Sequence, residues 1–192
     1  MRLWNGWGNE DSNLTMELSD GLRALLEALV GPGIALSQAT LNEVIAKVPN
    51  TRLDDHPLIK TDPETRVRHA RGQSLPDWLE MHSGTVDTFP DGVAFPESSE
   101  QVQELLAHAK ENNLTVIPYG GGTSVVGHIN PEISENPVLT IDMGKMNSML
   151  SIDAESQIAT FGAGTPGPLV EEELKKHGFT LGHFPQSWEL ST

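Results

Sequence analysis

The sequence predicts an α+β fold in two parts, helical before Val86 and mixed after it. Leucines recur at helical spacing near the N-terminus. After Val86, short β-branched runs alternate with helical stripes, and three consecutive glycines follow directly on one of those runs. Residues 1–86 are therefore expected to form an N-terminal helical module with an extended connector, and residues 87–192 a mixed unit.

Leu18, Leu22, Leu25, Leu26 and Leu29 share one helix face, and Gly31, Pro32 and Gly33 stop the helix. A second helix is predicted from near Ser37, with Leu41, Val44, Ile45 and Val48 as its stripe and Pro49 as its end. The two helices are expected to form a small helical module. Residues 50–84, rich in Asp, Pro, Arg and His, show no dominant period and read as an extended connector held by what it touches. In the mixed unit, Gly92, Val93, Ala94 and Phe95 make a short strand, and Ser98 with Gln101 a capping box. The helix that follows should bury Val102, Leu105, Leu106 and Ala109. Leu114, Thr115, Val116 and Ile117 form a buried strand, and residues 138–142 another. Residues 150–153 and 157–161 pair as a hairpin around Ala154, Glu155 and Ser156. Thr165 and Pro166 then open a helix through Leu169, Val170 and Leu174 that ends at Gly178.

Composition narrows the function. With 27 acidic against 12 basic residues, the net charge of -15 repels a nucleic-acid backbone. The absence of cysteine excludes a disulfide framework, a thiolate zinc site, an iron–sulfur cluster and a cysteinyl flavin link in this chain. No signal-like start and no run near the roughly 18 apolar residues of a membrane span is visible, so a cytoplasmic chain without a transmembrane segment is expected.

Chemistry concentrates in Pro118, Tyr119, Gly120, Gly121, Gly122, Thr123 and Ser124. Glycines after a buried strand let backbone N–H groups converge on an anion with no Cβ in the way, and the two hydroxyls add donors. A plain tight turn is the alternative. A Walker loop would need a lysine, which residues 118–136 lack, and a Rossmann loop would run straight into a helix, whereas Gly127, His128, Ile129, Asn130 and Pro131 follow.

This loop, together with residues 159–164 (ATFGAG) and residues 183–192 (HFPQSWELST), resembles the FAD domain of the vanillyl-alcohol-oxidase (PCMH) type. Residues 68–78 (RHARGQSLPDW) and the opening Trp4, Asn5, Gly6, Trp7, Gly8 resemble the alkyldihydroxyacetonephosphate synthase branch of that family. The resemblance implies non-covalently held FAD. Residues 118–124 would wrap its pyrophosphate, and Gln186, Ser187, Trp188, Glu189, Leu190, Ser191 and Thr192 would pass near the flavin. It implies a truncated domain, residues 87–192 being its first part, because the family pattern continues into a Gly-Gly-Trp stretch, a cap domain and a late tyrosine and histidine. No catalytic residue is expected before those. The implied reaction exchanges the acyl group of acyl-dihydroxyacetone phosphate for a fatty alcohol, the flavin N5 serving as an electron sink with no net redox change. A flavin oxidase or dehydrogenase of 2-hydroxy acids is the alternative, and an inert nucleotide-binding module a third reading. Partners would be FAD and a lipid or hydroxy-acid substrate, with a homodimer as the family expectation.

The remaining chemistry-bearing residues have ordinary roles. His128 is expected to be a solvated loop side chain rather than a flavin link, and the scattered His69, His82, His177 and His183 form no metal set. Arg66, Arg68, His69 and Arg71 either reach a phosphate or pair with the abundant acids. Glu171, Glu172 and Glu173 suit a helix N-terminus, and Trp78, Phe184 and Trp188 are core or interface aromatics.

Overall fold

The computed structural model describes residues 2–8, 10 and 18–192. Helix α1 (Asp20–Val30) starts where Ser19 accepts the Leu22 N–H at 3.3 Å and ends at Gly31, whose φ of 89° no other residue adopts easily. Its leucine stripe is present but not buried: Leu25 is 54% and Leu29 71% exposed. Helix α2 (Leu41–Ile45) begins at Thr40, not near Ser37, through a capping box in which Thr40 and Glu43 bond each other's backbone N–H. Its Val44 is fully buried in a cluster with Val67, Met81, Val86 and Phe89.

Residues 50–84 are not an irregular connector. They carry β1 (Ile59–Lys60), α3 (Pro63–Arg68) and α4 (Leu75–Ser83). Both helices are too short to show a period, and local capping makes them: Asp62 accepts the Thr65 N–H at 2.9 Å, and Ser74 and Asp77 form a second capping box.

The main sheet has the order β1-β2-β4-β3, with β2 (Gly92–Ala94), β4 (Val138–Asp142) and β3 (Thr115–Tyr119) parallel and β1 antiparallel at the edge. Its first strand thus comes from before residue 86. Helix α5 (Ser99–Glu111) covers the sheet with Leu105 and Ala109, while Leu106, expected in the stripe, is 48% exposed. Ser98 caps α5, but Gln101 bonds the Glu97 N–H at 2.7 Å instead of closing the predicted box. The hairpin of β5 (Met149–Asp153) and β6 (Ile158–Phe161) forms a separate sheet and leads to α6 (Gly167–Lys176). No helix of the described residues is long and apolar enough to cross a membrane.

Asp91 locks the start of β4 beside β2. Its carboxylate accepts from Arg52 Nη2 at 2.7 Å and from the Val138 N–H at 2.8 Å. Burial pushes this carboxyl up, but the Arg52 hydrogen bond, the Val138 N–H and the Arg52 charge together hold it below its ordinary value. The neighbouring Arg66, 2% exposed, donates to the carbonyls of Pro90 and Pro49. From β3 to β4 the chain crosses over through residues 120–137, which contain no helix. Their backbone groups therefore lack a regular ladder and must find partners singly.

Candidate cofactor site

Strands β3 and β4 end side by side, Tyr119 opposite Asp142, and open α/β sheets bind ligands outside such carboxyl ends. The glycines leave β3 at that edge. The N–H groups of residues 120–124 meet no acceptor among the described residues, while the carbonyls of Gly121 and Ser124 accept from Arg2 Nη1 and the Gln73 N–H, each at 2.6 Å. Gly122, with φ of 65°, turns the backbone into the left-handed region. Successive free donors at a left-handed turn form an anion-binding concavity.

The structure gives the glycines a second reason. A Cβ on Gly121 would overlap the Leu190 carbonyl, one on Gly120 the Thr192 hydroxyl, and one on Gly122 the Tyr119 hydroxyl. The glycine loop and the chain's last loop thus pack backbone to backbone. A hydroxyl chain continues the contact, from Thr123 to Ser191 at 3.1 Å and on to Ser187. Gly120, Gly121, Gly122 and Thr123 are thereby brought together with Leu190, Ser191 and Thr192. Ser124 turns its hydroxyl toward His128, 3.0 Å away. Pro118 is exposed on β3, and Tyr119 is buried beneath Gly122. Gln186 and Ser187 border a cavity with Thr123, and Glu189 lines a cleft on the other side of the loop contact. Trp188 turns away to cover Gly167 and meets Phe184 edge-on at 4.9 Å.

A frame from earlier in the chain holds the glycine loop. Asn130 accepts the Gly72 N–H at 3.0 Å and donates to Asp77 at 2.7 Å, and a Cβ on Gly72 would overlap the Ser124 carbonyl. Sequence reasoning passed over these residues, although the Ser74–Asp77 capping box was readable. Arg2 carried no signal, its bond to Gly121 spanning most of the chain. Glu171, read as one of a charge run serving the helix dipole, instead turns inward and accepts from Thr180 Oγ1 and the Leu181 N–H, both at 2.8 Å. The Thr180 hydrogen bond, then the Gly182 and Leu181 N–H groups, holds its carboxyl below the ordinary value. The last loop departs from this turn.

The cleft outside β3 and β4 encloses about 380 Å³. Arg68, His69 and Arg71 of the basic cluster border it together with Arg2, whereas Arg66 does not, and those that do have protein partners. Arg71 pairs with Glu80 at 2.6 Å and Asp87 at 3.1 Å, Arg68 with Glu64 at 2.9 Å, and His69 with Asp142 at 3.0 Å. Ion pairing, the second of the two sequence-based readings, accounts for Arg68 and Arg71, whereas Arg66 donates to backbone carbonyls and His69 bonds Asp142 and lies beside the Thr65 carbonyl. The Tyr119 ring lies tilted against His69, their centroids 4.7 Å apart; burial pushes its phenol above the ordinary value, with the Arg2 charge opposing and the Asp142 charge reinforcing.

Comparison with known proteins places this geometry. The model of the FAD binding domain matches residues 90–192. The chain belongs to the FAD-binding domain family. It is 39% identical over 134 residues to alkyldihydroxyacetonephosphate synthase of Dictyostelium discoideum, an alignment covering 70% of this chain and 22% of that protein. A mitochondrial D-lactate dehydrogenase (cytochrome) of Saccharomyces cerevisiae is 30% identical over 109 residues, covering 56% and 18%. A solved alkyldihydroxyacetonephosphate synthase superposes with a TM-score of 0.80 at 29% identity, covering all of this chain and 42% of that one. The chain therefore spans well under half of the relatives it matches, and within the family it is synthase-like. The site fits the cofactor: backbone donors free of Cβ atoms at a strand end suit a pyrophosphate.

Proposed function

We propose that residues 118–124 and 186–192 hold FAD non-covalently in a synthase-like flavoenzyme that exchanges the acyl group of an acyl-dihydroxyacetone phosphate for a fatty alcohol. The observation that carries this reading is the row of N–H groups at residues 120–124 that meet no acceptor among the described residues, in a loop clamped by residues 190–192 at the carboxyl edge of β3 and β4. In this reading residues 87–192 are the first part of the FAD domain, and residues 1–86 buttress it through β1, Gly72 and Asp77. Bound FAD would supply an electron sink for substrate activation. The chain's own groups bind and orient: backbone N–H groups and the Thr123 hydroxyl donate to the pyrophosphate, and Tyr119 supports Gly122 from below. His128 is exposed, and its pairing with Ser124 supports a role other than a flavin link. The D-lactate dehydrogenase relative supports a second reading, FAD-dependent oxidation of a 2-hydroxy acid, on the same cofactor domain.

Titration of the purified protein with FAD tests the cofactor site. Saturable binding that Gly121→Val abolishes is the expected result; no binding, or equal binding by the variant, removes the glycine loop from the site. Acid precipitation should release all flavin into the supernatant. Assay of acyl-for-alkyl exchange against D-lactate oxidation in the flavin-loaded protein separates the two reactions.

A further inference from the structure

The matched domain begins at residue 90, yet two tryptophans from before it reach the cofactor loops. A cavity of about 480 Å³ is bordered by Trp7 and Trp78 together with Gln73, Thr123, Val125 and Gln186. Thr123 and Val125 also border the cavity at the glycine loop, so the two spaces adjoin. Trp7 is held in place by its own segment: the Leu3 N–H bonds the Gly8 carbonyl at 2.9 Å, Trp4 packs into the α2–α4 core, and Arg2 ties to Gly121. Trp78 donates its indole N–H to Gln73 Oε1 at 2.7 Å. An indole N–H can only donate, so the amide oxygen faces it and the Gln73 amine remains available to a ligand.

From this we infer that the cavity between Trp7 and Trp78 receives the isoalloxazine ring, so that residues outside the FAD-binding domain complete the flavin pocket. The inference rests on the FAD reading above. An oxidised isoalloxazine is a flat, electron-poor ring, and indole faces are electron-rich partners for it. Its pyrimidine edge presents two carbonyls around an N–H, which the amides of Gln73 and Gln186 match with donors and an acceptor. The cavity is of the size that planar cofactors occupy. Adenine is the rival guest, but the cleft lined by Gly120, Gly121 and Leu190 carries the carboxylate of Glu189, an acceptor suited to ribose hydroxyls and an amino group.

The test is titration of the protein and of Trp7→Leu, Trp7→Phe and Gln186→Ala with FAD, FMN and ADP, reading flavin fluorescence and calorimetric heat. In the parent protein, bound flavin should be quenched by the neighbouring indoles. Loss of one stacking face should weaken FAD and FMN about 3- to 10-fold in Trp7→Leu and leave ADP unchanged, with Trp7→Phe restoring most of the loss. Gln186 is exposed, so Gln186→Ala keeps the fold and should weaken FMN but not ADP. Unchanged flavin affinity and quenching in Trp7→Leu and Gln186→Ala would overturn the inference while leaving the glycine loop in its role. A loss confined to ADP would place adenine there and overturn it too. Failure of the parent protein to bind either FAD or ADP would remove the FAD reading and this pocket together.

Discussion

Replacing Gly121 by alanine isolates the contact between the two loops. The backbone of Gly121 lies outside the left-handed region, so alanine meets no conformational penalty there. Alone, Gly→Ala at a compatible site stabilises by about 0.4–1 kcal/mol, because the unfolded chain loses freedom. Against this stands a methyl group driven into the Leu190 carbonyl, a backbone atom that no rotamer change can remove. Overpacking of that kind costs about 1–3 kcal/mol, so the balance is a net destabilisation of about 1–2 kcal/mol or detachment of the last loop. Gly120→Ala supplies the contrast, since its Cβ would meet the Thr192 hydroxyl, the end of a side chain that can rotate. Its expected effect is within about 0.5 kcal/mol of zero. Urea unfolding gives the stability, and limited proteolysis near residues 180–192 reports whether the loop has come free. Equal midpoints and equal protection for Gly121→Ala and the parent protein would refute the backbone-to-backbone packing.

Asp91→Ala leaves the buried Val138 N–H without its acceptor and Arg52 with only the Ser134, Glu135 and Asn136 carbonyls, so unfolding should lose about 1–3 kcal/mol by urea titration. The same carboxyl sets an acid limb. Its folded-state value is depressed below the unfolded one of about 3.9, so its contribution is complete above that pH and declines as pH falls through the lower folded value; Asp91→Asn should flatten the fall of the urea midpoint below about pH 4. Asn130→Asp sets a second carboxylate against Asp77, 2.7 Å from the present amide nitrogen, and should cost about 1–3 kcal/mol in chemical denaturation. Glu171→Ala removes the acceptor of the Leu181 and Gly182 N–H groups and of the Thr180 hydroxyl, and should expose residues 180–186 to faster protease cleavage.

The parts of the fold with dense local patterns were readable. The β-branched runs of β3 and β4, the hairpin around Ala154 and the glycine-terminated α1 all lie where the residues indicate. Helices α3 and α4 were lost because a two-turn helix has no period to detect, although Asp62-Pro63 and Ser74-x-x-Asp77 are start signals that a reading by caps would have caught. Periodicity also overstated burial: it marks the apolar face of α1 and of α5, but whether a neighbour reaches that face is a tertiary fact, and Leu29 and Leu106 have none covering them fully. At the site, the chemistry of residues 120–124 was legible, whereas their packing against Leu190 and the reach of Arg2 and Trp7 were not. Those contacts join residues that no local pattern relates.

The span of those contacts bears on how the molecule assembles. Gly121 meets Arg2 at one end of the chain and Leu190 at the other, and Gly72 sits under Ser124 in between. Closing such long loops costs entropy before any contact rewards it, so structures of high contact order form their distant pairings slowly. The β3–β4 ladder and the hairpin can zip early, but the glycine turn acquires its shape only when Arg2 and Leu190 have both reached it. Refolding followed at the turn should therefore lag refolding followed at the sheet, and a nascent chain on the ribosome would hold a finished sheet before it holds a finished glycine turn.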